Sequence, residues 1–155
     1  MEIKVLPKGN KFIVQDNKNR LLYSIKKKAF GSKYNLLDAS DYNLYTLVQG
    51  GNDRKPIFRI ILNDDIFMTL TCKSLFLDPT IEGEGSGMKF SLESKDRKEF
   101  KLVKNGSEVG SIKTVMTMNG ELQYEIVIEN VAFDDYIPLF AIAIDRAFGD
   151  MNKNK

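Results

Sequence analysis

The chain has 155 residues, with 23 Lys plus Arg against 21 Asp plus Glu, one Cys, no His and no Trp. A chain of this size can bury enough apolar surface to fold without a disulfide or metal staple, a lone Cys cannot pair internally, and the lack of His removes catalytic triads and imidazole metal sites. A formal net charge of +2 gives no reason to expect a nucleic-acid partner.

In chain order, the opening residues Met1 to Lys8 carry charge throughout and lack the apolar stretch of a signal peptide, so the expected compartment is the cytoplasm. Next comes a repeat offset by 22 residues. Lys11-Phe12, Val14, Asp16 and Leu22-Tyr23-Ser24-Ile25 match Lys33-Tyr34, Leu36, Asp38 and Leu44-Tyr45-Thr46-Leu47. Each copy predicts one hairpin in which the Asp begins the turn and accepts local backbone N–H groups. Tyr23 and Tyr45 read as packing and rim residues rather than the lining of a ligand cavity. Two copies are too few for a solenoid, so an antiparallel sheet is expected.

Period-two alternation continues through the middle of the chain. Ile66, Met68, Leu70 and Cys72 are expected on one buried face, which makes Cys72 core filler with no base to activate it. Asp64-Asp65 reads as a turn. Gly83-Glu84-Gly85-Ser86-Gly87 lacks the Lys-Ser or Lys-Thr of a phosphate loop and is expected to be a flexible loop. Met88, Phe90 and Leu92 line another strand face. Lys95, Arg97, Lys98 and Lys101 lie among Glu93, Asp96 and Glu99 and predict a charge-balanced loop. Asn105-Gly106 and Asn119-Gly120 predict tight primed turns of antiparallel hairpins, the second leading into the strand face Leu122, Tyr124, Ile126 and Ile128.

One segment departs from this pattern. From Asp134 to about Phe148 the chain reads as a helix capped by Asp134 or Asp135, with Pro138 in its first turn. Residues Ile137 and Leu139 to Ile144 leave no polar face, and a helix apolar all round must be covered all round. The apolar run from Tyr136 to Ile144 is far short of the roughly 20 residues of a membrane span, so protein must supply the cover. The strands would then curl around the helix as a closed barrel of about ten to twelve strands, wider than one filled by its own side chains. One domain is expected over residues 1–150, with a disordered polar tail at 151–155.

The paired hairpins Asp16 to Leu22-Tyr23-x-Ile25-Lys26-Lys27-Lys28 and Tyr34-x-Leu36-x-Asp38 to Leu44-Tyr45-x-Leu47, closed by Leu139 to Asp145, resemble the LURP-one-related group of tubby C-terminal-like domains. The likeness covers nearly the whole chain. It implies a mainly β fold, a roughly twelve-stranded antiparallel closed barrel wrapped around a hydrophobic C-terminal helix. The same domain class includes tubby proteins, which bind phosphoinositide headgroups, and phospholipid scramblases. The resemblance therefore implies a non-catalytic binding module, peripheral at the membrane, whose ligand class is the anionic lipid headgroup; the alternative is a structural or protein-interaction module.

Among the basic residues, Lys26-Lys27-Lys28 with Arg20 and Lys33 form the densest group and are the candidate ligand-binding residues. The competing reading is a solvated strand end that discourages edge pairing. No nucleophile with a base, no metal-ligand spacing and no cofactor loop is present, so neither an enzyme nor a cofactor is expected.

Overall fold

In the computed structural model, which describes residues 1–28 and 32–153, the period-two segments become twelve strands in simple chain order. They are β1 (Glu2–Lys8), β2 (Lys11–Asp16), β3 (Leu21–Lys27), β4 (Lys33–Asp38), β5 (Asn43–Asn52) and β6 (Lys55–Leu62), followed by β7 (Asp65–Ser74), β8 (Thr80–Gly85), β9 (Met88–Ser94), β10 (Glu99–Lys104), β11 (Ser107–Met116) and β12 (Leu122–Ile128). Each pairs antiparallel with its sequence neighbours, and β1 pairs with β12 to close the barrel. Alternation decides which side chains face in. Tyr124, Val5, Val14 and Tyr23 are direct cross-strand neighbours on β12, β1, β2 and β3, and all four are buried.

A 3-10 turn at Asn130–Ala132 leads into α1 (Pro138–Lys153), which runs down the barrel axis. Every residue from Leu139 to Ile144 has no solvent exposure, as the missing polar face requires. Aromatic rings wedge the helix against the wall: Phe140 meets Phe90 edge-to-face at 5.0 Å, and Phe148 meets Phe100 at 5.3 Å. The 16 residues of α1 span about 24 Å, enough to run from one mouth of the barrel toward the other.

The helix starts later and ends later than expected. Pro138 is its first residue rather than the fourth or fifth, because Asp134 to Ile137 form a tight turn closed by Ile137 N–H on the Asp134 carbonyl at 3.0 Å. The Asp135 carboxylate accepts the Tyr23 hydroxyl. At the other end Met151, Asn152 and Lys153 are helical, which corrects the disordered tail expected from 151. Asn152 is buried and donates its amide to the Arg97 carbonyl at 2.8 Å, so a hydrogen bond ties the last turn to the β9–β10 connection. Residues 154–155 of that tail lie outside the described residues.

Three further expectations are corrected by local geometry. Ile60 pairs with Met68 but Ile61 pairs with Ile66, so Phe67 is the extra residue of a β-bulge, and the alternation reverses there. Ile66 is consequently 60% exposed, while Phe67 turns toward Tyr45 and Tyr136, each at 5.3 Å between ring centroids. The glycine-rich segment is wall rather than flexible loop: Gly83 to Gly85 complete β8, and a Cβ on Gly83 would come within 2.7 Å of the Leu70 side chain. Both Asn-Gly pairs do make hairpins. Only Asn105-Gly106 has two positive φ angles, 50° and 88°, as a primed turn needs; at Asn119-Gly120 the glycine alone is positive, as in a type I turn with a glycine bulge.

The 22-residue repeat is reproduced bond for bond. Asp16 Oδ1 accepts the N–H groups of Lys18 and Arg20, and Asp38 Oδ1 those of Ser40 and Tyr42, all at 2.9 Å.

The register around the bulge is tested by two substitutions. Phe67→Ala should destabilise the protein by about 2 to 3 kcal/mol in urea unfolding, whereas Ile66→Thr should stay within about 0.5 kcal/mol of the parent; the reverse order would restore the unbroken alternation.

Asp145 yields a second test. Its carboxylate, carried by α1 and largely buried, accepts the Tyr124 hydroxyl at 2.7 Å, and removal from water raises its pKa above the ordinary 3.8 despite that bond and the nearby Lys153 and Arg146. A carboxyl whose folded pKa is raised contributes stability that is fully present below its unfolded pKa and is lost as pH rises through the folded value. The stability of Asp145→Asn relative to the parent should therefore be greatest near neutral pH and decline as pH falls toward about 4, read from unfolding curves across that range. A relative stability that does not change with pH would contradict this.

Candidate functional site

With α1 filling the interior, the outer wall and the two mouths are left to meet a partner. Two clefts, of about 570 and 550 Å³, lie outside on β7 to β11. Lys101, Glu93, Glu99 and Glu108 help to line the larger and Lys73, Lys89, Glu82 and Glu84 the smaller. This wall is neutralised across strands: Lys73 pairs with Glu82 at 3.7 Å, Lys101 with Glu108 at 3.9 Å and Lys113 with Glu99 at 4.0 Å. Among the described residues no cluster of three or more Cys, Asp or Glu side chains is placed to hold a metal ion.

The wall formed by β1 to β4 differs. Outward-facing positions alternate with Val5, Val14, Tyr23 and Ile25, all buried, so Lys8, Lys11 and Lys26 face out. The register sets these three lysines side by side, with Lys8 opposite Lys11 and Lys11 opposite Lys26, and the row ends at Asn35. Lys28 and Lys33 are also apposed, since Lys28 N–H donates to the Lys33 carbonyl at 3.0 Å. Among the described residues none of these five lysines is in an ion pair. Like charges directly opposite one another on a sheet are destabilising.

Of the candidate residues, the structure thus brings together Lys26, Lys28 and Lys33 at one end of the barrel. Lys27 is exposed at the same end, but it shares the inward parity of Tyr23 and Ile25 and pairs with Tyr34 at the mouth. Arg20 is elsewhere. It precedes β3, about 20 Å from Lys27 at the usual rise per strand residue, and its Nε donates to Asp16 Oδ2 at 2.7 Å. The Arg20 and Lys18 backbone N–H groups and that guanidinium hold the Asp16 carboxyl below its usual range, so this arginine is committed to its own turn.

Lys8 and Lys11 were missed by sequence reasoning. They flank the Gly9-Asn10 turn, and what marks them is their pairing, which takes the register of three strands to read. The edge-protection reading of Lys26 to Lys28 loses its reason in a closed barrel, because β3 is paired on both sides.

The other residues singled out are structural. Cys72 is 2% exposed, and burial pushes its thiol pKa up. Tyr23 and Tyr45 pack in and around the core, and Tyr23 is tied to Asp135. Asp96 Oδ1 accepts the N–H groups of Lys98 and Glu99 at 2.9 and 3.0 Å, which makes the Lys95–Lys98 connection a fastened turn. Ser86-Gly87, the place a phosphate loop would need a helix, is a two-residue turn between β8 and β9.

Comparison with known proteins bears on the fold and the family. The X-ray structure of a protein from Arabidopsis thaliana superposes with a TM-score of 0.62 over 97% of this chain and 90% of that one, at 16% identity; at that identity the likeness concerns the fold. No curated protein matches the chain. The closed twelve-stranded barrel around a C-terminal helix is the tubby-like fold, and the LURP-one-related family model matches residues 2–145. The chain belongs to the LURP-one-related family.

Proposed function

We propose that this protein is a non-catalytic binding module that recognises anionic phospholipid headgroups, acting in the cytoplasm and peripherally at the membrane surface. The observation that carries this reading is the unneutralised row Lys8, Lys11 and Lys26 with the apposed Lys28 and Lys33. A row of like charges costs the free protein a little, and that cost turns into a gain when an anion sits over it. Family membership supports binding over chemistry, and the filled interior directs the ligand to the outside.

Magnitudes set the mode of binding. At about 1 kcal/mol per basic residue near an anionic surface, five lysines give about 5 kcal/mol, a weak and reversible attraction of roughly sub-millimolar strength. With a net charge of +2 there is little long-range field, so the attraction is local and screens readily. No helix of the described residues is long and apolar enough to cross a membrane, and the reading requires none.

The expected result is sedimentation with vesicles containing phosphatidylserine or a phosphoinositide, largely lost when salt rises from about 0.05 to 0.5 M. Lys11→Gln with Lys26→Gln should weaken that binding about tenfold or more while stabilising the free protein by a few tenths of a kcal/mol at low salt. Arg20→Gln should leave binding unchanged. Binding unaffected by the double substitution would move the site off this row, and a wild-type protein that ignores anionic vesicles would replace the lipid reading with that of a protein-interaction module.

A further inference from the structure

The two mouths of the barrel carry opposite charge and different loops. At the mouth where α1 enters, Asp38, Asp41, Asp64, Asp65, Asp134 and Asp135 outnumber Lys18 and Arg20 of the β2–β3 connection. The lysine row lies at the other, where together with Arg54 and Lys55 at the β5–β6 turn and Lys95 and Lys98 in the β9–β10 connection it outnumbers Asp53, Asp78 and Asp96. Between those two basic flanks stands the β7–β8 connection, whose tip exposes Phe76 at 71% and Leu77 at 86%.

That tip is held in place from below. Leu75 is buried in the core as an anchor, and the Ser74 hydroxyl donates to the Leu77 carbonyl. Thr80 donates to the Asp78 carbonyl at 2.7 Å, and the Ser94 N–H reaches the Pro79 carbonyl at 2.9 Å. A turn fixed at four points holds two large, adjacent apolar side chains in water, and exposed apolar patches rimmed by polar residues mark contact sites. Met118, also fully exposed, projects from the β11–β12 connection at the same mouth.

We propose that this mouth docks end-on to an anionic bilayer, with Phe76 and Leu77 entering the boundary between headgroups and acyl chains while the surrounding lysines meet the headgroups. The proposal rests on the anionic-surface reading above and adds the orientation and the inserting residues. Charge complementarity selects the occupant. Tyr42, Ile66 and Val131 are exposed at the opposite mouth too, but they stand among carboxylates that an anionic surface repels. Electrostatic attraction and apolar insertion are each weak alone, and together they supply the two signals that stable anchoring takes.

The chain has no Trp, so one substitution supplies a clean reporter. Leu77→Trp and, for the far mouth, Tyr42→Trp would be titrated with vesicles of phosphatidylcholine and phosphatidylserine, alone and with brominated acyl chains. The expected result is a blue shift and bromine quenching for Leu77→Trp and neither for Tyr42→Trp. Phe76→Ala with Leu77→Ala should lower vesicle partitioning about tenfold or more while leaving its salt dependence in place. If the wild type sediments with these vesicles but Leu77→Trp stays in water, or Tyr42→Trp inserts instead, the orientation is overturned and the lipid reading survives. If the wild type does not sediment, both fall.

Discussion

Everything in this molecule depends on a helix that has no side it can show to water. The interior positions of α1 from Leu139 to Ile144 have no exposure at all, and leaving such a helix uncovered would forfeit about 1.5 to 3 kcal/mol for each large apolar side chain. Twelve strands enclose it, and closing β1 on β12 also removes the open edges that would otherwise invite pairing with another chain. The helix in turn gives the barrel a core, because a ring this wide cannot be filled from its own wall. Wall and helix are each incomplete without the other, which makes cooperative folding the expectation.

The same constraint is why the proposed function is sought on the outside. A barrel that kept its interior open could hold a small ligand there; this one places Phe90, Phe100, Phe140 and Phe148 in that space. What differs around the outside is charge. Strands on the β7 to β11 side answer lysine with glutamate, while the β1 to β4 wall sets lysine beside lysine. An arrangement that costs stability in the free protein is informative about its surroundings, since neutral or paired residues would serve the fold better at those positions.

Much of the fold was legible in the sequence. Strict alternation in Leu122, Tyr124, Ile126 and Ile128 named the inward face correctly, and the Asp16 and Asp38 repeat named two turns down to their hydrogen bonds. The unbroken apolar run in α1 led to the closed barrel, because neither lipid nor water could be its surroundings. What was not legible lies where one residue shifts the register. The bulge at Phe67 is invisible in a pattern of Ile66, Phe67 and Met68 in which every side chain is apolar. The proposed basic row was only half legible for a related reason: Lys26 and Lys28 stand near Lys33 in sequence, but Lys11 joins Lys26 only through strand pairing, and Arg20, close in sequence, is held at the far end of β3 by Asp16.

The central claim, that the helix and the barrel are one cooperative unit, is tested most directly by native-state hydrogen exchange. The account predicts that the amides of Phe140 to Phe148 exchange only through global unfolding, with the same opening free energy as inward positions such as Tyr124 and Ile126 on β12. Helix amides that exchange through a lower-energy opening while the β12 amides stay protected would show a barrel that stands without its helix, and would contradict it.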